Sequence, residues 1–319
     1  MLNIVVLLGG NSPERKVSLI SGREITAQLK QNGHQVTQID PADYPYSHEM
    51  IRAIHELSPD VVFIGLHGGE GENGVLQATL TASLIRFTGS SFKASAIAMD
   101  KLLSKFIADK ATVPVPHYQI IQKKDYQNQG IPDYSFYHSK LTKSNHASEI
   151  VIKPVDAGSS VGVHIVQDES EWKIALVDAF QYSDKVMLEE FIEGRELTVT
   201  ILDGIALPVV EIMPHEGFYD YPNKYTEGNT TYQAPADLTH LEATTVQEHA
   251  LNIWQAMECS GYARIDFRYN GKVFYFLEVN TLPGMTPLSL TPMAAKAMGI
   301  DFGALLEKIM DVALASPNL

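Results

Sequence analysis

One cysteine, Cys259, is all that the 319 residues hold, so an internal disulfide and a cysteine-based zinc centre are both excluded. Cys259 follows Met257 on an apparent helix and reads as an inert, half-buried thiol rather than a nucleophile. Long apolar runs are missing too. The N-terminal IVVLLGG is too short, and too quickly broken by glycine, for a secretion signal. No stretch approaches the roughly 20 apolar residues of a membrane helix. Basic residues are scarce: 24 against 38 acidic ones leave a formal charge of -14. That balance opposes any broad grip on nucleic acid or an anionic membrane, so basic groups beside a phosphate must be few and placed. Hydrophobic content of 45% and charged content of 19% mark a globular chain with room for two or three domains, expected in the cytoplasm.

What is present is an ordered α/β pattern. Ile4 to Leu8, His34 to Ile39 and Val61 to Leu66 read as strands with helical patterns between them, which implies a parallel sheet with crossover helices. Pro13 suits a first helical position behind a Ser12 cap. A helix is expected from about Ser95 to Ala111, with Lys101 in its first half. Beyond a polar stretch the pattern turns to antiparallel sheet, with Leu202-Asp203-Gly204-Ile205 as a hairpin turn.

Chemistry concentrates near the C-terminus. In GYARIDFRYNGKVFYFLEVNTLPGM, two β-rich runs flank an Asn270-Gly271 turn signal. Period 2 puts Arg264, Asp266 and Arg268 on one face of the first run, and Glu278 and Asn280 on one face of the second. Asp266, Glu278 and Asn280 form an all-oxygen set of the kind hard Mg²⁺ prefers when phosphates complete its shell. The face assignment carries a condition. A two-residue turn would put Asp266 and Glu278 on opposite faces, whereas an odd loop of three or five residues puts them together.

Three other segments fit a phosphate ligand. VIKPVDAGSSVG, residues Val151 to Gly162, joins Lys153 at a strand end to a Gly-Ser-Ser loop, with hydroxyls on Ser159 and Ser160. It is not a Walker loop, which needs the lysine after the glycines. LHGGEGENGVLQ, after the third strand, carries four glycines, and His67 stands at that strand's carboxyl end with Glu14 at the same sheet edge. LEEFIEGRE reads either as a connector beside a nucleotide base or as an edge strand with charged gatekeepers, and spacing leaves both open.

Together these segments resemble the D-alanine–D-alanine ligases, of the ATP-grasp fold, over essentially the whole length. The match runs through LLGGNSPERKVSLISG, LHGGEGENGVLQ, Met99 to Lys101, VIKPVDAGSSVG, EEFIEGRELTV, FYDYPNKY, GYARIDF and LEVNTLPGMTPLSL. The resemblance implies an N-terminal parallel-sheet substrate domain over 1–95, a central subdomain with a phosphate flap over 96–187, and a metal-bearing subdomain over 188–319, the last two gripping ATP. It implies two D-alanines joined through a D-alanyl phosphate for cell-wall precursors, with ATP and two Mg²⁺ (or Mn²⁺), in a homodimer. By the same resemblance Lys101, Lys153 and Lys224 hold ATP phosphates under a flap with Ser159 and Ser160. Glu189, Glu190 and Ile192 face adenine, and Glu196 faces ribose. Asp266, Glu278 and Asn280 hold metal, with Glu278 bridging. Glu14 takes the first D-alanine's ammonium, with His67 near its carboxylate. Ser289 and Leu290 take the second D-alanine's carboxylate. Arg264 and the Gly284 amide form the oxyanion site, and Tyr225 joins Glu14 and Ser159 in a hydrogen-bonded trio.

Lys16, Asn73 and Glu190 depart from the family's usual residues. A closing lid is expected over residues 217–231, with the Gly158 loop, because an acyl phosphate hydrolyses readily in water. One rival is a ligase that takes D-lactate or D-serine second, against which Tyr225 argues. A nicotinamide-binding oxidoreductase fails because Gly9-Gly10-Asn11 lacks G-x-G-x-x-G spacing. A non-catalytic nucleotide-binding protein would not need Asp266, Glu278 and Asn280 alongside Arg264.

Overall fold

The computed structural model describes residues 1–142, 149–215, 217 and 228–315. Its first layer is a parallel sheet of β1 (Asn3–Leu7), β2 (Gln35–Ile39) and β3 (Val61–Ile64), in the order β2-β1-β3. Helix α1 (Arg15–Gln31) follows β1, α2 (Ser47–Leu57) follows β2, and α3 (Val75–Ala82) follows β3. Ile4 through Leu7 are fully buried, as a continuous apolar strand at the centre of a parallel sheet must be. Next come α4 (Phe92–Met99) and α5 (Lys101–Lys110).

A four-stranded antiparallel sheet is built from β4 (Tyr118–Gln122), β5 (Ile150–Pro154), β6 (His164–Val166) and β7 (Lys185–Glu190), in the order β4-β7-β5-β6. A larger antiparallel sheet runs β11-β10-β8-β12-β13, with β9 also on β8. Its strands are β8 (Arg195–Leu202), β9 (Ile205–Ala206), β10 (Val210–Pro214), β11 (Thr230–Gln233), β12 (Tyr262–Tyr269) and β13 (Phe274–Asn280). Asp203 (φ 50°) and Gly204 (φ 73°) make the β8–β9 turn, both left-handed as a two-residue hairpin turn requires.

The cores do not follow chain order. Leu7, Ile25 and Phe63 of the first layer share one core with Leu290, Leu305 and Ile309 from the C-terminal end. Ala98 and Ala108 pack with Leu197, Ile265 and Phe276 of the large sheet, while Trp172 and Leu176 cover Ile152 and Leu188 of the smaller one. Among the described residues no helix is long and apolar enough to cross a membrane.

Four local expectations need correction. The helix expected over Ser95–Ala111 is broken at Asp100, whose side chain caps α5 by accepting from the Leu102 and Leu103 amides, and Lys101 is therefore the first residue of α5. α1 starts at Arg15, not Pro13. Ser12 instead donates its hydroxyl to the His67 carbonyl (2.7 Å), tying the first loop to the third. Cys259 lies beyond the helix His240–Ala256, where burial pushes its thiol up to about 12. The fourth correction concerns the β12–β13 loop. It is not odd: Asn270 donates to the Val273 carbonyl across Gly271 and Lys272, an even turn. A β-bulge restores parity, for Asp266 pairs with Glu278 while Phe267 pairs with Phe276, leaving Leu277 as the extra residue. Asp266 and Glu278 thus end on the same face.

Candidate active site

Asp266 is the most heavily bonded of the candidate metal ligands. Its carboxylate accepts Arg264 Nε and Nη2, both at 2.9 Å, Thr198 Oγ1 at 2.6 Å and Asn280 Nδ2 at 3.1 Å. Arg264 pairs with Asn280 across the strands, two steps from Asp266–Glu278 and so on the same face, and all four side chains share one patch of the sheet. As ligands, Asp266, Glu278 and Asn280 would coordinate through oxygen from two paired strands, which suits a hard divalent cation.

Lys101 reaches this patch from the start of α5. Its ammonium donates to the Ala157 carbonyl (2.6 Å) and lies 3.2 Å from Glu278 Oε2. Lys153, at the end of β5, lies 2.7 Å from Glu189 Oε1 on β7, and Lys105 lies 2.8 Å from Glu189 Oε2. Burial alone would raise the Glu189 carboxyl, but Lys105 and Lys153 together hold it below its usual range. Glu196 pairs with Arg268 (3.3 Å), whose Nε donates to the Ile192 carbonyl (3.1 Å).

The loop after β5 closes over these groups. Ser159 (φ 51°) and Ser160 (φ 56°) are both left-handed, a conformation costly outside glycine and persistent only where neighbours enforce it. The Ser159 hydroxyl donates to Glu14 Oε1. Glu14 in turn needs the space beside Gly68 (φ 67°), where a Cβ would stand 2.2 Å from Glu14 Oε2.

His67 is buried with both ring nitrogens engaged. Nδ1 lies 2.9 Å from the Leu282 carbonyl, which can only accept, so Nδ1 carries the proton. Nε2 then accepts from the Ser21 hydroxyl at 2.8 Å. Burial lowers the imidazole's proton affinity, which keeps this neutral tautomer. Glu72 accepts the Gly68 amide (3.0 Å) and the Leu282 amide (3.5 Å), and burial, with Glu14 second, raises its carboxyl to about 7. Ser289 precedes the helix Leu290–Ala297 with its Oγ on the Thr286 amide (3.1 Å) and 3.1 Å from where a Gly284 Cβ would sit.

Every candidate residue among the described ones lines one of two cavities. The larger, about 790 Å³, takes Glu14, His67, Ser159, Arg264, Asn280, Gly284, Ser289 and Leu290. The smaller, about 130 Å³, takes Lys153, Ser160, Glu189, Glu190, Ile192, Glu196 and Asp266. Lys101 and Glu278 line both. Lys224, Tyr225 and most of the expected lid (218–227) lie outside the described residues. Of the departures, Lys16 lines the larger cavity, Asn73 accepts the Val75 amide (3.1 Å), and Glu190 lies buried in the smaller. Glu72, Lys105 and Thr198 escaped the sequence reading. For Lys105 there was a signal: it stands four residues after Lys101 on one helix, hence on the same face.

Residues 107–311 match the family described as "D-ala D-ala ligase C-terminus". The D-alanine–D-alanine ligase of Syntrophotalea carbinolica is 39% identical over 96% of this chain and 94% of its own. That of Gloeobacter violaceus is 41% identical over 98% of this chain and 100% of its own. The crystal structure of the Bacillus anthracis D-alanine–D-alanine ligase superposes with a TM-score of 0.84 at 34% identity, covering 99% of this chain and 98% of that one. Its complex with ATP gives 0.83 at 31% identity, with the same coverage.

Proposed function

The chain belongs to the D-alanine–D-alanine ligase family, and from that premise we propose that it joins two D-alanines, driven by ATP, through a D-alanyl phosphate that supplies peptidoglycan precursors. One observation carries the reading: a larger cavity and a smaller slot meet at the Lys101–Glu278 ion pair. A phosphoryl group passing from a nucleotide in the slot to a carboxylate in the cavity must cross that junction.

In the slot, Glu189, Glu190 and Ile192 line the place for adenine, and Glu196, fixed by Arg268, the place for ribose. Lys101 and Lys153 offset phosphate charge, and the Ser159–Ser160 loop covers it; Lys224 is proposed to join them. Two Mg²⁺ (or Mn²⁺) would be held by Asp266, Glu278 and Asn280, with Glu278 shared. When bound, they would supply charge neutralisation to the transferring phosphoryl group. The Asp266 carboxylate that would hold metal accepts four donors, two of them from Arg264, which lines the larger cavity where the oxyanion forms.

There, Glu14 accepts the first D-alanine's ammonium while Ser159 keeps the carboxylate oriented, with Tyr225 proposed as third member. The neutral His67 fixes the Leu282 peptide beside the Gly284 amide. The second D-alanine's carboxylate meets Ser289, Leu290 and the positive end of their helix. The second D-alanine's neutral amine attacks the acyl carbon, Arg264 and the Gly284 N–H stabilise the tetrahedral oxyanion, the acyl C–O bond then breaks to release phosphate, and the proton lost by the amine nitrogen leaves with it. The cytoplasm, where ATP is plentiful, is the proposed workplace and a homodimer the proposed assembly. The test is phosphate release with D-alanine, L-alanine and D-lactate in parallel, with products identified by mass. D-alanine alone should give fast release and dipeptide. Release without dipeptide, or preference for D-lactate, overturns the proposal.

A further inference from the structure

Lys105 has no part in the chemistry above, yet it is fully buried beside it. Its ammonium donates to the Phe276 carbonyl (3.0 Å), lies 5.6 Å from the Phe276 ring centre and stands 2.8 Å from Glu189 Oε2. The other oxygen of Glu189 belongs to Lys153 at 2.7 Å. One carboxylate therefore sits between two ammonium groups, away from water. Burial is harsh enough to push Lys105 down to about 8. Apolar side chains of similar volume in place of the whole buried cluster would often be no less stable, so the buried charges call for a use.

The use lies in how Glu189 divides itself. Two cations share one anion, and of the two cations only Lys153 lines the smaller cavity. With a single partner, Glu189 would turn both oxygens to Lys153 and cancel most of the field it presents to the cavity. We propose that Lys105 is a positioning residue for nucleotide phosphate: by holding one oxygen of Glu189 it leaves Lys153 with charge and N–H directions to spare for phosphate oxygens. This rests on the smaller cavity being the nucleotide site.

The experiment is calorimetric binding of ATP and of adenosine to the full chain, as Lys105→Met and as Lys105→Gln, the second of which keeps a donor for the Phe276 carbonyl. ATP affinity should fall by at least about tenfold, the scale of one charge-assisted hydrogen bond, while adenosine, which meets Glu189 but brings no phosphate, should lose clearly less. In a Lys153→Met background the same change at Lys105 should add nothing, because its target is gone. Equal losses for ATP and adenosine, an unchanged ATP affinity, or additive losses with Lys153→Met each overturn the proposal. If Lys105→Met does not fold, Lys105→Gln is read by the same criteria. If neither folds, Lys105 is a structural residue and the proposal is overturned. If the parent binds neither ligand, the nucleotide reading itself falls.

Discussion

Replacing Asp266 by Asn exchanges one oxygen for an NH₂ at almost constant volume, so its consequences follow from hydrogen bonding and the loss of one charge. The native carboxylate accepts four donors, two from Arg264 and one each from Thr198 and Asn280. An amide has one accepting oxygen. Placed at Oδ1, it keeps Thr198 and Arg264 Nε. Its NH₂ then faces Arg264 Nη2 and Asn280 Nδ2, donor against donor. The guanidinium, whose side chain is 12% exposed, also loses its counter-charge. Removing one partner of a buried pair costs about 3–5 kcal/mol. Glu278, directly across the strand, takes up part of the orphaned charge, which brings the expected loss to about 2–4 kcal/mol. At about 2–4 °C per kcal/mol, the melting temperature should fall by about 4–16 °C, with the fold kept. Turnover should fall further than stability, by about 100-fold or more, since the change also strips charge from the proposed metal ligands. The measurement pairs a thermal melt with D-alanine-dependent phosphate release over a Mg²⁺ titration. Near-native turnover at ordinary Mg²⁺ refutes the metal assignment. An unchanged melting temperature refutes the four-bond geometry.

Glu72 titrates near about 7 in the folded chain against 4.5 ordinarily, so between those values the folded state holds a proton that the unfolded state has released. Its contribution to stability therefore declines as pH rises from 4.5 to about 7, and the melting temperature of Glu72→Gln relative to the parent should climb over that window; a flat difference refutes the shift. At Gly194 (φ 137°) a Cβ would stand 2.1 Å from the Tyr269 carbonyl oxygen, which cannot yield without moving β12. Gly194→Ala should cost more than about 3 kcal/mol in denaturant unfolding and weaken ATP binding through the neighbouring connector, and a near-native midpoint would count against the geometry. Cys259, pushed up to about 12 by burial, should resist alkylation in the native protein and react only on unfolding, at a rate that follows denaturant; fast native labelling would contradict it.

The parts legible in the sequence are those written in short range. Alternating strand and helix patterns announce the parallel sheet, Asp203-Gly204 announces its turn, and Lys153 and Ser160, paired in one motif, line the same cavity. Glu72 went unread because Leu282 stands far along the chain, and Lys105, although its spacing from Lys101 puts both on one helix face, went unread because Phe276 and Glu189, which hold its ammonium, stand equally far. The cores were unreadable for the same reason: Leu305 and Ile309 belong with β3 only once the chain has returned to the first layer.

The β12–β13 hairpin shows how a local rule and the outcome can part. Side-chain faces alternate by residue, so the face of Glu278 relative to Asp266 depends on every step of the count between them. The turn at Gly271-Lys272 is even, and by itself it would send Glu278 to the opposite face. One extra residue, Leu277, reverses that outcome three positions past the start of β13. A bulge loosens the ladder and leaves a residue unpaired, so it persists where something is gained. The gain is visible in the cavities: Glu278 lines both and meets Lys101, and neither contact survives if the carboxylate turns away. The bulge is therefore part of the site, and deleting Leu277 would uncouple the two cavities even with every candidate ligand still present.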